Sequence, residues 1–505
     1  MNFIPFFHHT IKPSIRQLFI VFCLLFSTFC FLPSAFSQVD PPLRVEFESA
    51  KDQQDYHFVS LAQQGVAVFY QNAILNADTM QWVFIHYDTN LVKKNIFKIK
   101  LPNLCQYFAT DFSNNKLYLF FQKPAYKKDT LKNYLLEWNL FSDGFQLFDL
   151  VNYKSPYVTS IKVTDDYLFI IINEQKIKSI VFYNLQTDEK QTLQTTDEEI
   201  TSFESFCVDT LAKTTYCCLF LKSRGGAHAE LFVTDYSGAV KKRAILPFFE
   251  DLIYNSVKLA ITGKDSLLLT GGYSSPKTQK QKNCYSGIFT LQFLKNRFLD
   301  LQTYTFGALL TKDSELNTKY LGETNLAMNG HLRQSNGRVF FITEVFYPEY
   351  QYTTTSSYRG YGYYGYETPT RMFAGFRYLN AYILEFNTQG LLLHEWFFPM
   401  VNVLTQSFYH LVDLYQTPND NTLIYYVYKN EVISQFMYGQ QVLAAKSAIP
   451  VVLSYKSDIL EYSSNVSMQH WYDNSFLLSG YQYIKNSQRG KGKRYVFFLN
   501  KLICE

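Results

Sequence analysis

The chain has 505 residues, a formal net charge of +4 and an aromatic content of 18%. A charge this close to neutral excludes the strongly basic surface that nucleic-acid binding requires. Abundant aromatic residues suit strands, where large side chains pack well on a pleated surface. The composition therefore favours an all-β protein with no nucleic-acid partner.

The first residues have the layout of a secretory signal peptide. Two cations and no acid precede a 15-residue apolar stretch, Leu18–Leu32, and small residues follow at Ala35 and Ser37. This pattern predicts cleavage after Ser37, so that residues 1–37 form the signal peptide and residues 38–505 the mature domain. An uncleaved membrane anchor is the alternative, but the stretch is shorter than the ~20 residues of a membrane span. We expect an exported protein that is periplasmic, at the cell surface or extracellular, with no transmembrane segment after cleavage.

A strand-like unit recurs eight times in the rest of the chain, with the first five units starting about 50 residues apart. Each unit contains one short apolar run, and these runs are Val66–Tyr70, Leu117–Phe121, Tyr167–Ile172, Tyr216–Leu221, Ser266–Thr270, Val339–Thr343, Leu423–Val427 and Phe476–Ser479. Such runs are too short for core helices and predict strands buried on both faces. A repeat of this period made of strands predicts an all-β fold, a single β-propeller with eight four-stranded blades. Seven blades is the alternative, should the unit Leu423–Pro450 be irregular.

A turn that starts with Asp or Asn follows the third strand in five of the eight units. These turns are Asp88–Asn90, Asn139–Gly144, Asn184–Asp188, Asp235–Gly238 and Asn387–Gly390. Asp and Asn accept hydrogen bonds from the backbone ahead of them, and glycine tolerates a positive φ. The order of buried strand, variable loop and turn resembles the repeats of secreted bacterial β-propellers. Leu267–Tyr273 also resembles the double-glycine strand end of a kelch repeat. The resemblance implies a fold and no particular activity.

The two ends of the chain are predicted to meet in the last blade. The last unit stops at its third strand, Arg494–Leu499, whereas Leu43–Phe47 lies before the first unit and has the composition of a strand. We therefore predict that Leu43–Phe47 pairs beside Arg494–Leu499 and completes that blade. Such closure leaves no open sheet edge that could cause aggregation.

Two insertions interrupt the spacing of the units, at residues 307–335 and 347–378. The second lies between the second and third strands of the sixth blade and contains nine tyrosines. Tyrosine supplies a large, rigid contact surface with a polar tip, and arginine stacks on aromatic rings. The candidate binding residues are Tyr358, Arg359, Tyr361, Tyr363, Tyr364, Tyr366 and Arg371. The alternatives are a structural flap that folds onto its own blades and a weakly ordered loop.

Six cysteines follow the predicted signal peptide, at irregular spacing and without a CxxC motif, which disfavours a zinc site. Cys207 and Cys217 lie on neighbouring predicted strands joined by a turn, and a disulfide across this hairpin is one interpretation. Two small buried thiols are the favoured alternative, since Cys217 and Cys218 must point to opposite faces of their strand.

No linear motif for catalysis or for metal or cofactor binding occurs in the sequence. There is no Gly-x-Ser-x-Gly or His-Glu-x-x-His, and the seven histidines of the mature chain include no pair at ligand spacing. We therefore predict a protein with no catalytic residues, no metal and no cofactor, which recognises a protein partner or acts as a scaffold. A glycan-binding or glycan-active propeller is the alternative, and carboxylates converging on one face would favour it.

Overall fold

The computed structural model describes residues 36–37 and 43–504, apart from 50–54, 75, 77, 125–130, 151–157, 174–177, 194, 196–198, 224–225, 250–251, 276–285, 306–326, 336, 356–367 and 487–491. Most of the predicted signal peptide therefore lies outside the described residues. The described residues form strands and one short 3-10 helix, Ala62–Gln64. None of their helices has the length and apolar character needed to cross a membrane.

The strands form eight sheets, and each sheet is one blade. The N-terminal strands are β1 (Phe36–Ser37) and β2 (Arg44–Ser49). Blade 1 contains β3 (His57–Ser60), β4 (Val66–Ile74), β5 (Thr79–Tyr87) and β6 (Lys93–Pro102). Blade 2 contains β7 (Gln106–Ser113), β8 (Lys116–Lys123), β9 (Lys132–Asn139) and β10 (Gly144–Asp149). Blade 3 contains β11 (Ser160–Thr164), β12 (Tyr167–Asn173), β13 (Lys178–Asn184) and β14 (Lys190–Thr192). Blade 4 contains β15 (Glu199–Asp209), β16 (Thr214–Ser223), β17 (Gly226–Asp235) and β18 (Val240–Ile245).

The other four blades include the longest strands. Blade 5 contains β19 (Ile253–Tyr254), β20 (Lys258–Gly263), β21 (Ser266–Ser274), β22 (Gly287–Leu294) and β23 (Arg297–Thr305). Blade 6 contains β24 (Ala327–Ser335), β25 (Arg338–Thr355), β26 (Thr368–Phe386) and β27 (Leu392–Thr405). Blade 7 contains β28 (Asp413–Gln416), β29 (Thr422–Tyr428), β30 (Glu431–Tyr438) and β31 (Gln441–Pro450). Blade 8 contains β32 (Ile459–Tyr472), β33 (Ser475–Lys485) and β34 (Lys493–Cys504), together with β2 and β1.

The eight-bladed β-propeller predicted from the sequence is confirmed. Each blade is an antiparallel sheet, and in six blades the strands follow chain order. In blade 5 both β19 and β20 pair with β21, and in blade 8 the N-terminal strands β1 and β2 pair with β34. Each of the eight apolar runs lies in the second full strand of its blade. In blade 3, Phe169 pairs with Lys162 on the first strand and with Phe182 on the third. Phe169 is fully buried, because the faces of its blade pack against neighbouring blades.

The core of the described protein consists of eight apolar clusters, one between each pair of neighbouring blades. The cluster between blades 8 and 1 contains Leu477 and Leu499 from blade 8 and Val66 and Val68 from blade 1. This cluster closes the ring. Successive residues of a second strand enter different clusters, because side chains alternate between the two faces of a strand.

The predicted closure of blade 8 is also confirmed. Val45 pairs with Leu499, Phe47 pairs with Phe497, and β2 is the fourth strand of the blade. A polar group reinforces this pairing, because Arg494 donates hydrogen bonds to Asp458 (2.6 Å) and to Glu46 on β2 (3.1 Å). The hydrogen bonds to Asp458 raise the pKa of Arg494 above its ordinary value. The N-terminal strand is thus held by backbone pairing, apolar packing and an ion pair.

The turns after the third strands have the predicted hydrogen bonds. The Oδ1 atom of Asp235 accepts from the backbone N–H groups of Ser237 (3.0 Å) and Ala239 (3.1 Å). The side chains that open the other four turns accept in the same way. Gly238 has a φ of +90°, and a Cβ atom there would lie 2.6 Å from the Phe182 ring in the preceding blade. Glycine is therefore needed at this turn both for its backbone angle and for the contact between blades.

The first strands of neighbouring blades contact one another, as β7 does with β11 and β15 with β20, so these strands line the centre of the ring. Because strands alternate in direction, two kinds of connection emerge at the same end of the disc. They are the connections from second to third strands and those from one blade to the next. We call this end the upper face. The sequence predicts an insertion over 347–378 here, and the structure continues β25 and β26 into it as paired strands. Likewise, residues 327–335 of the other predicted insertion form β24.

We expect truncation of a second-strand side chain to be costly. Replacing Phe169 or Leu268, which are both fully buried, by alanine should lower the free energy of unfolding by about 2–5 kcal/mol, because each change leaves a cavity between two blades. The control is Leu211→Ala, since Leu211 is 91% exposed. Denaturant unfolding of the three variants checks this. If the unfolding midpoints of both core variants equal that of the control, the second strands are not buried on both faces as assigned.

Candidate functional site

A two-stranded ribbon rises from the upper face of blade 6. We define the ribbon as residues 347–355 of β25 and 368–378 of β26, which pair from Tyr347–Arg377 up to Thr355–Thr368. A bulge shifts the register between Glu349 and Tyr350. Gly375 lies opposite Glu349 with a φ of +146°, and a Cβ atom there would lie 2.4 Å from a backbone oxygen of β27. Glycine thus lets the ribbon pass close to the fourth strand of its blade.

The ribbon exposes large apolar side chains. The exposed fraction is 71% for Tyr352, 54% for Met372, 48% for Phe373 and 39% for Tyr350. The rings of Tyr350 and Phe373 meet edge-on across the ribbon, with their centroids 5.8 Å apart. Tyr350, Tyr352 and Phe373 lie on one face of the ribbon, whereas Met372, which pairs with Gln351, lies on the other face. Exposed aromatic surface of this kind is uncommon on a soluble domain and marks a site of interaction.

Two arginines contact side chains on the opposite strand of the ribbon. The guanidinium carbon of Arg371 lies 3.7 Å from the centroid of the Tyr350 ring, in a cation–π contact. Arg377 donates to both carboxylate oxygens of Glu349 on the opposite strand, and this bonding lowers the pKa of Glu349. The ion pair therefore fixes the pairing of the two strands below the exposed aromatic residues.

An aromatic cluster anchors the ribbon to the disc. Phe346 lies at its base, and its ring centroid is 5.8 Å from that of Phe376 and 4.7 Å from that of Phe408. Phe408 belongs to the connection between blades 6 and 7. The same connection is held by Tyr378, whose hydroxyl donates to the backbone oxygen of Tyr409 (2.6 Å). The ribbon is thus attached to two blades.

Most of the candidate residues predicted from the sequence belong to the tip of the insertion. Arg371 lies in the ribbon and stacks on Tyr350. The other six lie outside the described residues, and they are Tyr358, Arg359, Tyr361, Tyr363, Tyr364 and Tyr366. The structure thus places one predicted residue beside exposed aromatic side chains of β25 and β26 that the prediction did not single out.

The structure also brings together two histidines that the sequence analysis considered scattered. His331 on β24 and His410 before β28 have ring centroids 4.5 Å apart. Glu344 on β25 is fully buried beside them, with Oε2 3.5 Å from Nδ1 of His410. Its Oε1 accepts from the backbone N–H groups of Leu411 (2.7 Å) and Val412 (2.6 Å). No local motif reveals this pair, because its members come from different repeats.

An ion pair at the inner strands borders the histidines. Arg333 donates two hydrogen bonds to Asp413, and Asp413 lies 4.0 Å from Nε2 of His331. Burial lowers the pKa of His331 to about 3, and His410 adds to this shift whereas Asp413 opposes it. His331 is therefore neutral near pH 7. In the part of the chain that the structure describes, no group of three or more His, Cys, Asp or Glu side chains is arranged to hold a metal ion.

The hairpin disulfide considered from the sequence is not formed in the structure, where Cys207 and Cys217 are free thiols. Cys207 pairs with Tyr216, and Cys217 pairs with Phe206. Cys207 therefore packs in the cluster between blades 4 and 5, and Cys217 in the cluster between blades 3 and 4. The two thiols lie on opposite faces of the sheet, because neighbouring positions along a strand alternate.

No protein-family model and no curated protein matches the chain. Solved β-propellers match its fold over most of its length. The propeller domain of the Trilobed protease from Pyrococcus furiosus has 8% sequence identity, covers 78% of this chain and 93% of its own, and has a TM-score of 0.34. The polysaccharide lyase Uly1 has 10% sequence identity, covers 79% of this chain and 90% of its own, and has a TM-score of 0.41. The Dos1 propeller has 9% identity, covers 79% of this chain and 92% of its own, and has a TM-score of 0.37. Such distant similarity concerns the fold alone.

The partly buried His331 should make the protein less stable in acid. Below about pH 6.5 the unfolded chain binds a proton at His331, whereas the folded protein binds it only near pH 3, so this group destabilises the fold as the pH falls. We expect the melting temperature of His331→Gln to fall less between pH 7 and pH 5 than that of the unsubstituted protein. Calorimetry of both proteins measures this, with His470→Gln on β32 as the control. Equal falls in all three proteins would show that His331 does not carry the effect.

Proposed function

We propose that this β-propeller is a non-catalytic recognition module that binds a protein partner through the ribbon of blade 6. The exposed aromatic face formed by Tyr350, Tyr352 and Phe373, on a ribbon anchored to two blades, carries this proposal. Aromatic residues, Met and Arg are the residue types enriched at protein–protein interfaces. The predicted signal peptide further supports a partner that the protein meets after export.

The chemistry of the ribbon favours a protein over a glycan. A sugar ring stacks on an open aromatic face and needs hydrogen-bonding groups around it. Arg371 covers one face of the Tyr350 ring at 3.7 Å, and Phe373 offers apolar surface with no polar tip. Surfaces of this composition suit apolar side chains of another protein.

The cluster of ionisable side chains between blades 6 and 7 does not favour a glycan-active enzyme. Glu344 binds the backbone N–H groups of the blade connection, and Asp413 is engaged by Arg333. A general acid or base must reach the substrate at a plausible hydrogen-bonding distance. Both carboxylates instead join blade 6 to blade 7, which supports a structural role.

The test replaces Tyr352 and Phe373 together by serine. Loss of two exposed aromatic contacts should weaken partner binding by about 2 kcal/mol or more, which is over tenfold, without lowering the melting temperature. Leu211→Ser is the matched control, because Leu211 is exposed on blade 4. Quantitative pull-downs from the exporting cell identify proteins that the control retains and the ribbon variant loses, and titration calorimetry with the purified partner measures the affinity.

A second variant tests the tip of the insertion, with Tyr361, Tyr363, Tyr364 and Tyr366 all replaced by serine. If these residues contact the partner, its recovery falls at an unchanged melting temperature, whereas a structural flap predicts a lower melting temperature. Unchanged recovery of every protein by both variants would exclude the ribbon and its tip as the binding surface.

A further inference from the structure

The ribbon has open backbone edges. The pairing of β24 with β25 ends at Ala327 and Phe346, and the pairing of β27 with β26 ends at Thr405 and Phe376. Among the described residues, β25 from Tyr347 and β26 before Phe376 pair only with each other. An edge of this kind presents unpaired N–H and C=O groups that can accept a further strand.

The two edges differ in the residues that discourage pairing. The β26 arm, Thr368–Phe373, contains Pro369 and Arg371, and proline and charge are the usual means by which proteins block a sheet edge. The β25 arm, Tyr350–Thr355, contains Tyr, Gln and Thr, and has no charge, proline or glycine. Tyr and Thr also favour strands. Among the described residues of the ribbon above Pro348, the β25 edge therefore lacks this protection and the β26 edge has it.

We propose that two copies of this chain associate by pairing their Tyr350–Thr355 edges antiparallel across a two-fold axis. Antiparallel pairing of a strand with its own image is self-complementary, as a two-fold interface requires. In such a pairing the central residue faces its own copy, and each other residue faces one from the far side of the centre. Since the whole segment is uncharged, no like charges come together. This inference goes beyond partner recognition, since it uses the backbone edge rather than the exposed side-chain faces of the ribbon.

The position of the edge suits such a dimer. β24 is the innermost strand of blade 6, so the side of β25 that β24 leaves uncovered faces the centre of the ring above the upper face. Two discs that meet by their upper faces bring the two ribbons side by side with opposite directions. The paired edge has six residues per copy, which is small for an interface, so we expect weak, concentration-dependent association.

Sedimentation velocity over about a hundredfold range of protein concentration tests the proposal. The unsubstituted protein should shift from monomer toward dimer. Q351K/T353K should weaken association by about tenfold or more, because edge lysines then oppose one another. T370K/M372K is the matched control on the β26 arm and should associate normally. All variants should keep the melting temperature, since the changes lie outside the packed blades.

Mixing two charge variants distinguishes specific pairing of the two edges from a general loss of non-specific association. Q351K/T353K and Q351E/T353E should each be monomeric alone and should form a mixed dimer when combined. The proposal is wrong if the unsubstituted protein stays monomeric at all concentrations. The edge would then be available for pairing with a strand of another protein. Association that the control weakens equally would overturn it too. Neither outcome affects partner recognition, which Tyr352 and Phe373 test separately.

Discussion

The whole structure depends on the burial of each second strand on both faces. A run such as Leu267–Leu269 is buried only because blade 5 packs between blades 4 and 6. No blade can satisfy this requirement alone, so the ring must close, and the eighth interface joins blade 8 to blade 1. The pairing of Phe47 with Phe497 and the ion pair of Arg494 therefore stabilise more than their own blade. They complete a chain of contacts on which every blade relies.

The same constraint explains where function can be added. Residues in the apolar clusters cannot change freely, whereas connections at the upper face can lengthen without disturbing them. The ribbon is such a lengthened connection, and the contacts of Phe346 with Phe376 and Phe408 pack its base against the disc. A rigid aromatic surface loses less entropy on binding than a loose loop does. The anchoring thus turns an insertion into a defined surface.

Blades 6 and 7 are joined by polar contacts as well as by apolar packing. Glu344 holds the connection that carries Phe408, Tyr409 and His410, so the buried carboxylate and the aromatic anchor of the ribbon act on the same segment. Glu344 is buried, and one oxygen of its carboxyl group accepts hydrogen bonds from the backbone N–H groups of the connection. The ribbon and the histidine pair are therefore parts of one junction.

The sequence by itself determined the repeat, the second strands, the Asp/Asn turns and the joining of Leu43–Phe47 to the last blade, because each depends on local pattern and strand composition. It also located an insertion rich in tyrosine. Only the tertiary structure decided that β25 and β26 extend into that insertion, that Tyr352 and Phe373 are exposed there, and that His331 meets His410. Those features arise where separate repeats come into contact. A single sequence does not reveal such contacts, because residues far apart in the chain leave no common local pattern.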